Sequence, residues 1–183
     1  MKHLTIALLL VMVMAGANAQ KYITKNGYIR FFSDAPLEKI EAQNRQVNAA
    51  WDMESGQLAF KVLIKAFQFE KALMQEHFNE NYMESGKYPD ATFSGTVTDL
   101  NEADFQKDVI NPVTLIGKMT IHGVTKDIEE KGTLQMKEGK IIGKAKFFIK
   151  LKDYNINIPQ AVVKNISDRV EVTVDVTLEK LVK

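Results

Sequence analysis

Two histidines, His77 and His122, are the side chains in the body of this chain best placed to move a proton near neutral pH. No cysteine accompanies them. Its absence removes thiol nucleophiles, thiolate zinc sites, iron–sulfur clusters and CxxC redox chemistry together. Two histidines cannot build a histidine-rich zinc site, and no acidic residues fall in a calcium-loop spacing. No G-x-S-x-G elbow, S-x-x-K motif or phosphate-cradling glycine loop is present. Glu129 and Glu130 are adjacent in an alternating segment, so they point to opposite faces and form no carboxylate pair. The same alternation turns Glu130 inward, which places it at a rim or marks a slip in register. His122 ends a strand just before Gly123. It reads as a polar contact at a pocket mouth, as a general base, or as a side chain fixing the turn through a backbone hydrogen bond, the last being preferred. His77 lies on a helical apolar stripe with no second histidine one turn away, so packing or hydrogen bonding is its expected role.

The elements that position these residues follow from periodicity. Alternation with a period of two dominates after about residue 20. Tyr28 to Phe32 is a short aromatic strand. Val47, Ala49 and Trp51 share a face and end in an Asp52-to-Gly56 turn. Leu58, Phe60, Val62 and Ile64 then share a face that Phe67 and Phe69 extend. From Glu70 to Met83 the spacing of Leu73, Met74, His77, Phe78, Asn81 and Tyr82 is helical. Ser85-Gly86 stops that helix, and Tyr88-Pro89 forces an extended exit. Further strands carry Phe93 and Val97, then Leu115, Gly117 and Met119, then Ile128 to Met136. A Lys137-to-Lys140 turn leads to Gly143, Ala145, Phe147 and Ile149, and a last strand carries alternating valines from Val170 to Leu178.

Residues 1–19 stand apart. Met1-Lys2-His3, an apolar run from Leu4 to Met14 and the small-residue sequence Ala15-to-Ala19 have the three parts of a cleaved secretory leader. The run is shorter than the roughly 20 residues that a spanning helix needs, so no stable membrane anchor is expected. Lys2 is the one charged residue there. Taking it from the 24 basic residues leaves a balance with the 23 acidic ones. Such a balance, without a basic stripe, argues against a nucleic-acid partner. Residues 20–183 read as one domain.

An all-β chain with one short α-helix and about eight strands, apolar on one face, removes its edges by closing into an antiparallel barrel. The inner face then carries Phe60, Ile64 and Phe67, Phe93 and Val97, Leu115 and Met119, and Phe147 and Ile149. Gly117, Gly132, Gly143 and Ala145 on that face either open a ligand cavity or mark bends. Periodicity leaves both open.

Two stretches carry a family likeness. His77-Phe78-Asn79-Glu80 leads through Tyr88-Pro89 to Phe93-Ser94-Gly95. Further on comes Ile116-Gly117-Lys118-Met119-Thr120-Ile121-His122-Gly123-Val124-Thr125-Lys126. With the exported, β-rich context, the chain resembles the YceI-like family of periplasmic proteins. The resemblance implies a lipocalin-like barrel holding a polyisoprenoid or other long-chain amphiphile, and favours the periplasm over secretion; with no catalytic or cofactor motif in the sequence, neither catalysis nor a cofactor is expected. The nine inner-face residues are the pocket candidates, and His122 and His77 the polar candidates at its mouth. A homodimer is compatible with the sequence. Competing readings are an envelope stress or interaction protein with a filled core, and a hydrolase or isomerase acting on an apolar substrate.

Overall fold

A computed structural model describes residues 20–100, 103–106 and 108–182. The leader expected at residues 1–19 lies outside them. Eight long antiparallel strands form a closed barrel: β1 (Lys21–Asp34), β2 (Lys39–Asp52), β3 (Gln57–Leu63), β5 (Asp90–Thr98), β6 (Ile110–Ile121), β7 (Val124–Lys137), β8 (Lys140–Lys150) and β9 (Arg169–Lys180). A two-residue strand, β4 (Gln68–Phe69), pairs with β2 outside this ring. Closure comes from β1, which pairs with β2 on one side and β9 on the other. No helix among the described residues is long and apolar enough to cross a membrane.

β1 and β2 run well beyond the short segments expected from alternation, and complementary bulges explain the difference. β1 has an extra residue between Thr24 and Gly27, and β2 has one between Asn44 and Val47. Each bulge reverses which parity points inward. On β2 the inward set is therefore Ala42 and Asn44, then Val47, Ala49 and Trp51, all buried. Asn44 stitches the bulge: its side-chain amide donates to the Leu63 carbonyl at 2.9 Å and its Oδ1 accepts the Gln46 N–H at 2.7 Å. Two tight hairpins obey simpler rules. His122-Gly123 and Glu138-Gly139 each place two residues at positive φ between paired strands. This is the two-residue turn whose twist matches that of the sheet.

The barrel has two unlike ends. Where β1 begins and β9 finishes, Tyr22, Trp51, Leu58, Val97, Ile141 and Leu178 pack into one buried cluster. Phe105 adds its ring 5.7 Å from that of Trp51. At the opposite end a short helix, α1 (Ala72–His77), widens into a turn at Phe78–Tyr82, where the Met83 N–H bonds to the Phe78 carbonyl at 2.9 Å. A helix this short takes its stability from tertiary packing. Phe78 supplies it, with ring centroids 5.4, 5.6 and 5.0 Å from those of Phe31, Phe67 and Phe69. The helical stripe is narrower than its spacing implies. Met74, Phe78 and Tyr82 face the barrel, whereas Leu73 is 60% exposed.

Gly95 and Gly117 sit directly opposite each other on β5 and β6. The Phe93 ring lies over both: a Cβ at Gly95 would stand 2.7 Å from Phe93 Cζ and would also strike the Ile116 carbonyl oxygen. Gly95→Ala is expected to lower the urea midpoint by the equivalent of about 1–3 kcal/mol through overpacking. Gly86→Ala, at a position with open space around it, should stay within about 0.5 kcal/mol of the parent.

Candidate functional site: the barrel interior

The barrel is not filled. A cavity of about 420 Å³ runs inside it, within the range of about 300–1,000 Å³ typical of small-ligand sites. All nine residues expected from the inner face line this cavity: Phe60, Ile64, Phe67, Phe93, Val97, Leu115, Met119, Phe147 and Ile149. Alternation brings them together because each sits at an inward parity of its strand, except that Ile64 and Phe67 reach the cavity from the helical turn Ile64–Ala66 and the residue after it. The small inward residues divide their roles. Gly132, Gly143 and Ala145 line the cavity directly, while Gly117 gives its space to the Phe93 ring.

The two histidines part company. His77, exposed on α1, lines the cavity at the helical end, beside Ser33 and Glu38 from the β1–β2 hairpin and Asn165 from the segment before β9. These segments are tied together. Asn165 donates to Glu38 at 3.3 Å, the Leu37 N–H donates to the Lys164 carbonyl at 3.0 Å, and Lys71 lies 3.6 Å from Glu38. His122 does not line the cavity. Its Nδ1 donates to the Tyr154 carbonyl at 3.2 Å, its Nε2 meets Glu84 at 2.7 Å, and the Tyr88 ring packs edge-on at 4.6 Å. It pins the β6–β7 turn to the segments that follow β8 and the helix, so its backbone partner is Tyr154 rather than a residue of its own turn.

Alternation had already turned Glu130 inward, and the structure places it in the cavity wall opposite Leu115 of β6, with no slip in register. Desolvation by the apolar surroundings pushes its carboxyl above the ordinary glutamate value. Trp51 was legible as a core residue. What the pattern did not reveal is that it lines the cavity and that its buried indole N–H has no hydrogen-bond partner among the described residues. The signal that could have singled out Glu130 is an acidic residue at an apolar parity, flanked by Ile128 and Gly132.

A closed antiparallel barrel with an open apolar interior defines the lipocalin-like class of single-ligand barrels. The chain belongs to the YceI-like family, whose domain matches residues 24–178. Solved structures of other proteins share the fold, these three among them. A polyisoprenoid-binding domain from Saccharophagus degradans, implicated in plant cell wall breakdown, aligns with a TM-score of 0.77 at 15% identity, covering 89% of this chain and 99% of that one. BcnA of Burkholderia cenocepacia aligns at 0.68 and 15% identity, covering 83% and 95%. The Campylobacter jejuni YceI protein aligns at 0.55 and 19% identity, covering 100% and 91%. No curated protein matches the sequence.

The raised carboxyl of Glu130 has a definite consequence for stability. The folded protein holds this proton to higher pH than the unfolded chain does. The contribution of this group to stability therefore falls as pH rises from the ordinary value of 4.5 through the raised one, and stays at the lower level above it. Glu130→Gln removes this dependence. Thermal unfolding should show the variant more stable than the parent at pH 7, with the gap closing as the pH drops below 4.5.

Proposed function

We propose that the protein binds a long-chain isoprenoid or a similarly apolar amphiphile inside the barrel and carries it without catalysis, as an exported protein of the cell envelope. The observation that carries this reading is the hollow itself. Barrels of this strand number are either filled by their own side chains or hold one small ligand, and here an apolar cavity survives in a closed fold. Apolar surface is the recognition element. Each CH₂-sized group of ligand buried contributes ~0.8 kcal/mol, so a few isoprene units outweigh the ordering costs of binding without a strong polar anchor. The Saccharophagus degradans neighbour, described as polyisoprenoid-binding, supports the same ligand class. The leader-like residues 1–19 and the balanced charge of the remainder support residence in the periplasm. A catalytic reading has little to build on, since His122 is engaged outside the cavity and His77 sits at its exposed end.

The test is native mass spectrometry of the protein, followed by organic extraction and uptake trials with offered prenols, quinones and prenyl phosphates. A bound or readily acquired long-chain amphiphile is expected. Ala145→Trp, which pushes an indole into the cavity from β8, should weaken uptake at least about tenfold, close to 1.4 kcal/mol, while the chain still folds. A clean ligand-free mass with no uptake of any offered compound would instead favour an interaction protein that uses its surface.

A further inference from the structure

The barrel wall is not continuous. β7 pairs with β6 along its length, and β8 with β9 along its length. Between β7 and β8, however, pairing covers Gly132–Lys137 against Lys140–Ala145 and then stops. Val124–Lys131 and Lys146–Lys150 continue as strands on either side of a seam that no ladder closes.

A second cavity of about 400 Å³ occupies this seam. Its inner part is made by Met119, Ile128, Glu130 and Ile149, all of which also line the central cavity. Its outer part includes Phe148, which is 53% exposed, and Arg169, whose guanidinium lies 4.9 Å above the Phe148 ring. Ile149 and Phe148 are consecutive on β8 and so point to opposite faces. One space lined by both faces of a strand crosses the wall.

Glu130 stands at the junction of the two cavities. Among the described residues it has no hydrogen-bond or ion partner. Tyr154 lines the seam beside it, near enough for the Glu130 charge to act on its hydroxyl. The remaining charges are Lys126 and Lys150 with Arg169, against Asp127 and Asp153. Asp127 is engaged by Lys118 at 2.7 Å. Glu130 is the one charged residue lining the seam that also lines the central cavity, and it is a carboxyl lacking a protein donor, so a ligand that displaces water from it must supply one. A phosphate or carboxylate seated against Glu130 itself would meet a carboxylate, since Lys126, Lys150 and Arg169 line the seam but not the central cavity; a hydroxyl, an amide or an amine would complete it.

We propose that the β7–β8 seam is a side pocket of the ligand cavity that seats a hydrogen-bond-donating end of the amphiphile, an alcohol, amide or amine, on Glu130 and Tyr154. The apolar chain then runs past Met119, Ile128 and Ile149 into the barrel. This assignment rests on the lipid-binding reading above and adds where the polar end sits and which chemistry it has.

Matched probes test it: farnesol and farnesyl phosphate, titrated into the parent, Glu130→Gln and Glu130→Leu. Because the chain has no cysteine, Phe148→Cys can carry a single environment-sensitive fluorophore at the outer lip. Farnesol is expected to bind the parent about tenfold or more tightly than farnesyl phosphate. Glu130→Leu should erase that preference, Glu130→Gln should keep part of it, and the label at position 148 should respond to farnesol. Equal binding of the two probes, unmoved by either substitution, overturns the seam assignment and leaves lipid binding standing. Binding of neither probe overturns both.

Discussion

The pairing of β1 with both β2 and β9 is the constraint on which everything else rests. An open sheet of eight strands with one apolar face would leave two rows of unpaired backbone groups and a bare hydrophobic surface. Closing it pairs the two outer edges and encloses the apolar face in one step, while strand along the β7–β8 seam stays unpaired. Closure also requires the strands to coil sharply, and the paired bulges in β1 and β2 supply the bend. Asn44 is buried at that corner because its amide replaces ladder hydrogen bonds that the bulge removes.

Closure does not decide whether the enclosed space is full. Here three features keep it open. Small residues at Gly132, Gly143 and Ala145 withhold volume where strands could have supplied it. Phe93 is laid against the wall over the Gly95–Gly117 pair instead of projecting across the interior. Phe31, Phe67, Phe69 and Phe78 cluster at the helical end, where they hold α1 over the barrel and spend their surface on one another. Glu130, a carboxyl in the cavity wall, disfavours its own charge there and opposes stability at neutral pH. A polar group kept at such a cost in an apolar wall is a natural point of contact for a polar part of the ligand.

Strand alternation was legible wherever a segment kept one parity, and there the inward residues from Phe93 through Ile149 could be assigned without a structure. It failed at the bulges. Residues 39–46 keep the parity opposite to that of Val47–Trp51, so alternation read from Val47 does not extend back to Ala42 and Asn44. The helix was legible as an element, but its spacing could not tell Met74, which faces the barrel, from the neighbouring exposed Leu73. His122 was readable as a turn-fixing residue, yet its partners Tyr154 and Glu84 lie 32 and 38 positions away and leave no local trace. The β7–β8 seam has no signature either, since both flanking segments alternate perfectly well. The choice between cavity and bend at the glycines needed the packing of Phe93, which periodicity does not contain.

The central claim is that the interior is an apolar binding site and not merely an imperfectly packed core. Isothermal titration calorimetry with a long-chain isoprenoid alcohol, repeated at several temperatures, tests it most directly, because burial of apolar surface leaves a negative heat-capacity change whatever the sign of the enthalpy. Saturable one-to-one binding with a clearly negative heat-capacity change is the result this account predicts. Absence of saturable binding, or binding with a heat-capacity change near zero, would contradict it.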